Sequence, residues 1–270
     1  KRGYCLAKDS AILSAQSIAQ YLTVPPLRLE VEQLVSSTNT LLRQRAEAGE
    51  PEGLALVAAA QTAGRGRRDH TFFSPPDTGL YLSFLVRPQL SAKDALLLTT
   101  CAAAAVALAI EDCAGVPAEI KWVNDVLMQG RKLNGTLTEA VIEGESGTVS
   151  SLIVGIGINL CPNPAWPEEV RRVAGAISDF GPVPRRAALI ASVLTHFEQA
   201  YSLVEQGREG ELVALYRERL CCIGRKITVV SPLEKYEAEC VGLDGEGHLL
   251  IRTADGAETA LSTGEISIRL

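Results

Sequence analysis

Gln61-Thr62-Ala63-Gly64-Arg65-Gly66-Arg67-Arg68 sets three arginines and two glycines into a chain that is otherwise acidic, with Lys+Arg 26 against Asp+Glu 32 and a net charge of −6. Glycine lets the backbone approach a ligand closely. Arginine offers a planar, permanently charged fork that suits phosphate and carboxylate. The stretch reads as a loop that closes over an anion. A solvated basic turn would explain it alone, so its neighbours decide. No basic stripe extends beyond it, which argues against a nucleic-acid surface. The Gly-x-x-x-x-Gly-Lys-Ser/Thr phosphate loop does not occur. Gly155-Ile156-Gly157-Ile158-Asn159-Leu160 begins like a dinucleotide fingerprint, but Leu160 stands where the third glycine belongs.

Working outward, Leu54 to Ala60 is a buried strand feeding the arginine loop, and Gly79 to Val86 is the next strand. A long helix is predicted over Ala95 to Cys113. Glu119 to Trp122 is a short strand ending at an Asn124-Asp125 turn, inside a second dense motif, Lys121-Trp122-Val123-Asn124-Asp125, then Lys132-Leu133-Asn134-Gly135. Leu133 to Ile142 and Leu152 to Asn159 read as paired strands, and Val183 to Glu205 as a long amphipathic helix. Upstream, Ala11 to Leu22 reads as a helix ended by Pro25-Pro26, Leu27 to Val35 as a strand, and Thr40 to Ala48 as a helix stopped by Gly49. Ser37 and Asn39 are candidates for its N-cap, which is compatible with ligand contact at the same free N–H groups. After Cys221-Cys222 the texture changes to short alternating strands, Lys226–Val230, Tyr236–Leu243, His248–Ile251 and Glu258–Leu261, with Asp-Gly turns between them. That is a small β-barrel, with a boundary near Leu220–Gly224.

The 270 residues and 47% apolar content suit one large domain plus a small one. The run from Ala95 to Ile110 reads as too short and alanine-rich for a membrane span; Lys93, Asp94, Glu111 and Asp112 flank it, as expected of a buried helix. No signal peptide is evident. Seven cysteines without a C-x-x-C pair point to reduced thiols in a cytoplasm, and the three scattered histidines argue against a zinc site or a histidine-based triad. The chain opens on Lys1 and its only methionine is Met128, so it reads as a fragment or processed product.

Six blocks in one order resemble the biotin protein ligases: Ser37-Thr38-Asn39, Gln61 through Arg68, Lys121 through Asp125, Lys132 through Gly135, Gly155 through Asn159, and Gly264-Glu265-Ile266-Ser267-Ile268-Arg269. The resemblance covers nearly the whole chain. It implies an α/β (α+β) fold, a mixed-sheet catalytic domain related to class II aminoacyl-tRNA synthetases plus a small C-terminal SH3-like β-barrel. The divisions it implies are a linker helix over 1–26, similar to the end of a winged helix-turn-helix in the bifunctional ligase–repressors, a catalytic domain over 27–222, and the barrel over 223–270.

The implied reaction joins biotin to ATP, giving biotinyl-5′-AMP and pyrophosphate, and then passes the biotinyl group to a lysine of a biotin carboxyl carrier protein. An anion must meet a polyanion, so cations have to offset the repulsion. By resemblance, Ser37, Thr38, Asn39 and Gln61 hold the ureido head of biotin. Arg65, Gly66 and Arg67 fold over the adenylate, and Lys132 neutralises the biotin carboxylate and the α-phosphate. Lys121 adds a further cation. Arg68, Phe72, Asn124, Asn159, Glu265 and Arg269 reach the nucleotide. Mg²⁺ is expected on the phosphates, with Asp125 as either a metal ligand or the acceptor of the lysine proton; a turn aspartate capping its own backbone is an equal reading. Phe72 or Phe73 stands where the family usually has tryptophan, and Val123 where it commonly has proline. A homodimer through sheet edges is implied, and little affinity for duplex DNA is expected of this stretch. The competing readings are a lipoate–protein ligase and a biotin-sensing repressor without ligase activity.

Overall fold

The structure is a computed structural model that describes residues 12–24, 28–88, 95–143, 148–231 and 234–268. Pro25-Pro26, Lys93, Asp94, Arg269 and the start of the first helix lie outside them.

Seven strands form a mixed sheet in the order β1-β2-β3-β7-β6-β5-β4. These are β1 (Arg28–Glu32), β2 (Leu54–Ala58), β3 (Gly79–Val86), β4 (Glu119–Lys121), β5 (Asp125–Met128), β6 (Arg131–Glu143) and β7 (Thr148–Asn159). Only β1 and β2 run parallel, joined by the crossover helix α2 (Thr38–Glu47), as a parallel pair requires. Its central strands β2 and β3 are buried at every position and read as nearly unbroken apolar runs. Side chains alternate across β2: Leu54 and Leu56 pack under α2 with Leu42, Leu85 and Ile153, while Ala55 and Val57 join the main core on the other face.

That main core is built on α3 (Ala95–Ala114), packed between the sheet and α5 (Arg186–Glu205). Alanines 102 to 105 are fully buried, which lets the helix lie close to its neighbours. α3 runs as the sequence suggested, ending one residue later at Ala114, and a stretch of it, Leu96–Ala114, is long and apolar enough to cross a membrane, yet two thirds of that window is buried inside the molecule. It is the central helix of the core.

Several limits differ from expectation for physical reasons. The first helix, α1, is only Ala15–Ala19, opened by a reciprocal cap between Ser14 and Ser17. α5 begins at Arg186 rather than Val183, because Pro184 biases the residue before it away from helical geometry. β5 sat hidden in the presumed turn after Asn124, and the tail is a strand, β12 (Glu265–Ile268). Two helices, α4 (Glu168–Val173) and α6 (Glu209–Arg217), were not foreseen.

β8 (Lys226–Val230), β9 (Lys235–Leu243), β10 (Leu249–Arg252), β11 (Glu258–Leu261) and β12 make a second, wholly antiparallel sheet in the order β11-β10-β9-β8-β12. This is the small all-β unit expected after residue 222. It is joined to the first sheet by the Trp122 indole, which donates to the Gly247 carbonyl at 3.2 Å; within the larger unit, the fully buried Tyr216 hydroxyl on α6 donates to the Val123 carbonyl at 3.1 Å. Burial raises the Tyr216 pKa well above the usual phenol range, so it stays a neutral donor. The six described cysteines are free thiols, and the buried Cys222 and Cys240 sulfurs lie 3.5 Å apart.

Candidate active site

The site begins where β1 leads into α2. Ser37 caps the helix, its Oγ accepting from the Thr40 N–H at 3.5 Å. Asn39 does not cap. It sits inside the first turn, 4% exposed, with its amide turned toward the sheet. Its Nδ2 donates to Glu139 Oε2 at 2.9 Å and to the Leu137 carbonyl at 3.2 Å, and its Oδ1 accepts from Ser83 Oγ at 2.6 Å. Thr38 donates from both N–H and Oγ1 to Gln61 Oε1, at 2.8 and 3.1 Å. Gln61 in turn donates to Ser74 Oγ, which donates to the Phe72 carbonyl. A polar cluster this deep must be internally satisfied, and a ligand with urea-like donors and acceptors can exchange with its members.

The two glycines that resembled a nucleotide fingerprint serve this cluster instead. Gly155 lies beneath Asn39, where any Cβ would overlap the amide oxygen. Gly157 lies beneath Phe72, where a Cβ would come within 2.5 Å of the ring. With Phe72 packed there, edge-on to Tyr81, the cavity lined by Ser37, Thr38, Asn39 and Gln61 shrinks to about 20 Å³, room for about one water. Gly155→Ala should therefore displace Asn39 at a cost of about 1–3 kcal/mol. The checks are a lower melting temperature and weaker biotin binding; wild-type values for both would refute the contact.

A second cavity of about 160 Å³ shares Arg65, Phe72, Gly135 and Leu137 with the first. It is the cationic end: Arg67, Arg68, Lys121 and Lys132 line it, with Asn124, Asp125 and Glu265. The Lys132 ammonium lies 2.7 Å from Asp125 Oδ1. Arg67 donates to Asn124 Oδ1 at 3.0 Å and to the Gly264 carbonyl at 3.1 Å. Burial lowers its pKa, opposed by the nearby Asp125 carboxylate. Arg68 takes a left-handed backbone, φ 51°, and reaches Glu265 at 3.3 Å and the Val230 carbonyl at 3.1 Å. Arg65 pairs with Glu139 at 3.0 Å. A larger cavity of about 810 Å³ opens beyond, between β6, α3 and the second sheet, lined by Arg67, Thr99, Thr138, His248 and Thr263 among others.

The structure thus brings together every described residue of the expected site except one. Asn159 faces away from both cavities and donates to the carbonyls of Gly175 and Lys132, at 3.0 and 3.4 Å, fixing the chain behind the lysine. Of the two candidate aromatics, Phe72 lines the site. Arg269 lies outside the described residues. Glu139 and Ser83 were missed. Ser83 carried a signal, being a polar residue inside the apolar, fully buried run of β3; Glu139, in the mixed run Thr136 to Ala140 of β6, carried none.

Comparison with known proteins agrees with this layout. The profile of the biotin/lipoate A/B protein ligase family matches residues 31–159, and that of the biotin protein ligase C-terminal domain matches residues 222–269. The bifunctional ligase/repressor BirA of Bacillus subtilis (strain 168) is 32% identical over 266 residues, spanning 97% of this chain and 81% of the relative. A biotin–[acetyl-CoA-carboxylase] ligase of Mycobacterium tuberculosis is 30% identical over 248 residues, 88% of each chain. Among solved structures, the Aquifex aeolicus biotin protein ligase in complex with biotin and ATP superposes with a TM-score of 0.77 at 29% identity, covering 90% of this chain and 98% of that one. With two family profiles in chain order and a relative 32% identical over 97% of this chain, the chain belongs to the biotin protein ligase family.

Proposed function

We infer that this chain is an ATP-dependent biotin–protein ligase, which activates biotin to biotinyl-5′-AMP and transfers the biotinyl group to a lysine of a biotin-carrying carboxylase protein. The single observation that carries it is the pair of adjoining cavities, one a buried polar cluster and the other lined by five cations, Arg65, Arg67, Arg68, Lys121 and Lys132. A linear ligand with a urea at one end and a carboxylate at the other matches the order of these groups, its head entering as Phe72 moves off Gly157, and the nucleotide meets the carboxylate at the cationic end.

In this reading Ser37, Thr38, Asn39 and Gln61 hold the ureido head. Lys132 meets the biotin carboxylate and the α-phosphate. Arg65, Gly66 and Arg67 close over the adenylate, and Phe72 packs on it. Lys121, Arg68, Asn124 and Glu265 serve the nucleotide. Arg65, Arg67, Arg68 and Lys132 are already matched to acceptors of the protein, so the incoming anions replace Asp125 and Glu265 as counter-charges. Among the described residues no group of three or more His, Cys, Asp or Glu can hold a metal. Asp125 is a single carboxylate already ion-paired, which suits Mg²⁺ arriving on the ATP phosphates rather than held by the protein. Freed from Lys132 by the substrate anions, the same carboxylate can take a proton from the acceptor amine.

We also propose the division 1–26, 27–222 and 223–270, a cytoplasmic setting, and a homodimer through sheet edges. Repression by a longer form rests on the names of relatives alone. The lipoate alternative is disfavoured by the C-terminal match to a biotin ligase domain. Incubation with biotin, MgATP and a biotin carboxyl carrier domain, followed by intact-mass analysis, should show one biotinyl addition on one carrier lysine. No addition with biotin, or an addition with lipoate instead, would overturn the reading.

A further inference from the structure

Glu139 is not among the residues assigned above to biotin or nucleotide, yet it bonds to Asn39 of the polar cavity and pairs with Arg65, which lines both cavities. Its side chain is only 13% exposed. One carboxylate oxygen accepts from the buried Asn39 amide at 2.9 Å, and the other lies 3.0 Å from the Arg65 guanidinium, with Arg43 at 3.9 Å. A carboxylate this enclosed needs partners for both oxygens, and its two main partners belong to different parts of the site. Asn39 is fixed on α2 beneath the polar pocket. Arg65 is carried on the glycine-flanked loop and is 42% exposed. On the far side of the same loop, the chain Thr38–Gln61–Ser74 ends on the Phe72 carbonyl.

We propose that Glu139 is a positioning residue that makes the arginine loop respond to occupancy of the polar pocket. The inference rests on the placement of the biotin head at Asn39. A ligand that hydrogen-bonds Asn39 locks the amide, and the locked amide fixes the Glu139 carboxylate. The fixed carboxylate holds Arg65 in the closed position before the nucleotide arrives. Coupling of this kind is reciprocal, so a nucleotide that orders the loop must tighten biotin by the same factor.

The test is calorimetric titration of biotin into the whole chain, with and without a non-hydrolysable ATP analogue, for wild type, Glu139→Gln and Asn39→Ala. Glutamine keeps an acceptor for Asn39 but loses the charge that holds Arg65. Glu139→Gln should bind biotin alone, while the tightening of biotin by the analogue falls at least fivefold relative to wild type. Wild-type coupling in Glu139→Gln would overturn the proposal. So would complete loss of biotin binding, which would make Glu139 part of the pocket. If Glu139→Gln does not fold, Glu139→Asp, whose shorter stem cannot span both partners, is read in the same way. Asn39→Ala separates the two levels: undiminished biotin binding there would overturn the placement of the biotin head itself.

Discussion

Lys132→Ala should slow formation of biotinyl-AMP by roughly 30- to 1000-fold while leaving the fold intact. The lysine is the cation at which two anions must meet, and its side chain is 38% exposed, so the core does not depend on it. Loss of one such contact in a closed site costs about 2–4 kcal/mol of barrier, by analogy with removal of one oxyanion donor. The structure adds a second effect in the same direction. Asp125 is only 15% exposed, and without its partner at 2.7 Å it would present an uncompensated negative charge to the incoming carboxylate and phosphate. Pyrophosphate release from biotin and MgATP measures the outcome directly, and a wild-type rate would remove Lys132 from the reaction.

Arg67→Gly should loosen retention of the intermediate more than it slows its formation. Lys132 and Lys121 remain for the first step, whereas Arg67 is the residue that ties the loop to both motifs: to Asn124 in the first sheet and to the Gly264 carbonyl beside the second. A charge-assisted hydrogen bond contributes about 1.5–3 kcal/mol, so escape of the adenylate should accelerate by one to two orders of magnitude. A mixed anhydride released into solution acylates whatever amine it meets. Mixed with biotin, MgATP and serum albumin, the variant should label the albumin heavily. Labelling no greater than wild type, at matched adenylation rates, would refute the lid role.

The parts of this architecture legible in the sequence are those set by local composition. β3 and β8 were readable residue for residue because an apolar run or a strict alternation bounded by turn residues leaves little choice of period. The arginine loop and the Lys121–Asp125 motif were readable because their residue types are costly unless a ligand or partner is present. β5 was hidden, since four residues following Asn124-Asp125 look like the arm of a turn until β6 pairs with them. Asn39 was left between a cap and a ligand contact, because capping and inward-facing asparagines share one local signature. What separates them is Gly155, more than a hundred positions away in the chain, which makes room for the amide. Glu139 escaped for the same reason: its partners Asn39 and Arg65 come from two distant segments, and only the assembled sheet brings them to one carboxylate.

The indole of Trp122 reaches across the junction between the two sheets, and one apolar cluster runs unbroken from Leu80 and Ile120 through Cys222 to Val229 and Ile251. The small C-terminal unit is therefore a keystone rather than an appendage. Cutting the chain before it would lay open the wall against which the Lys121–Asp125 motif rests. Tags and fusions belong elsewhere on the molecule, and damage to the last fifty residues will be felt as lost adenylation before it is felt as lost recognition of the carrier.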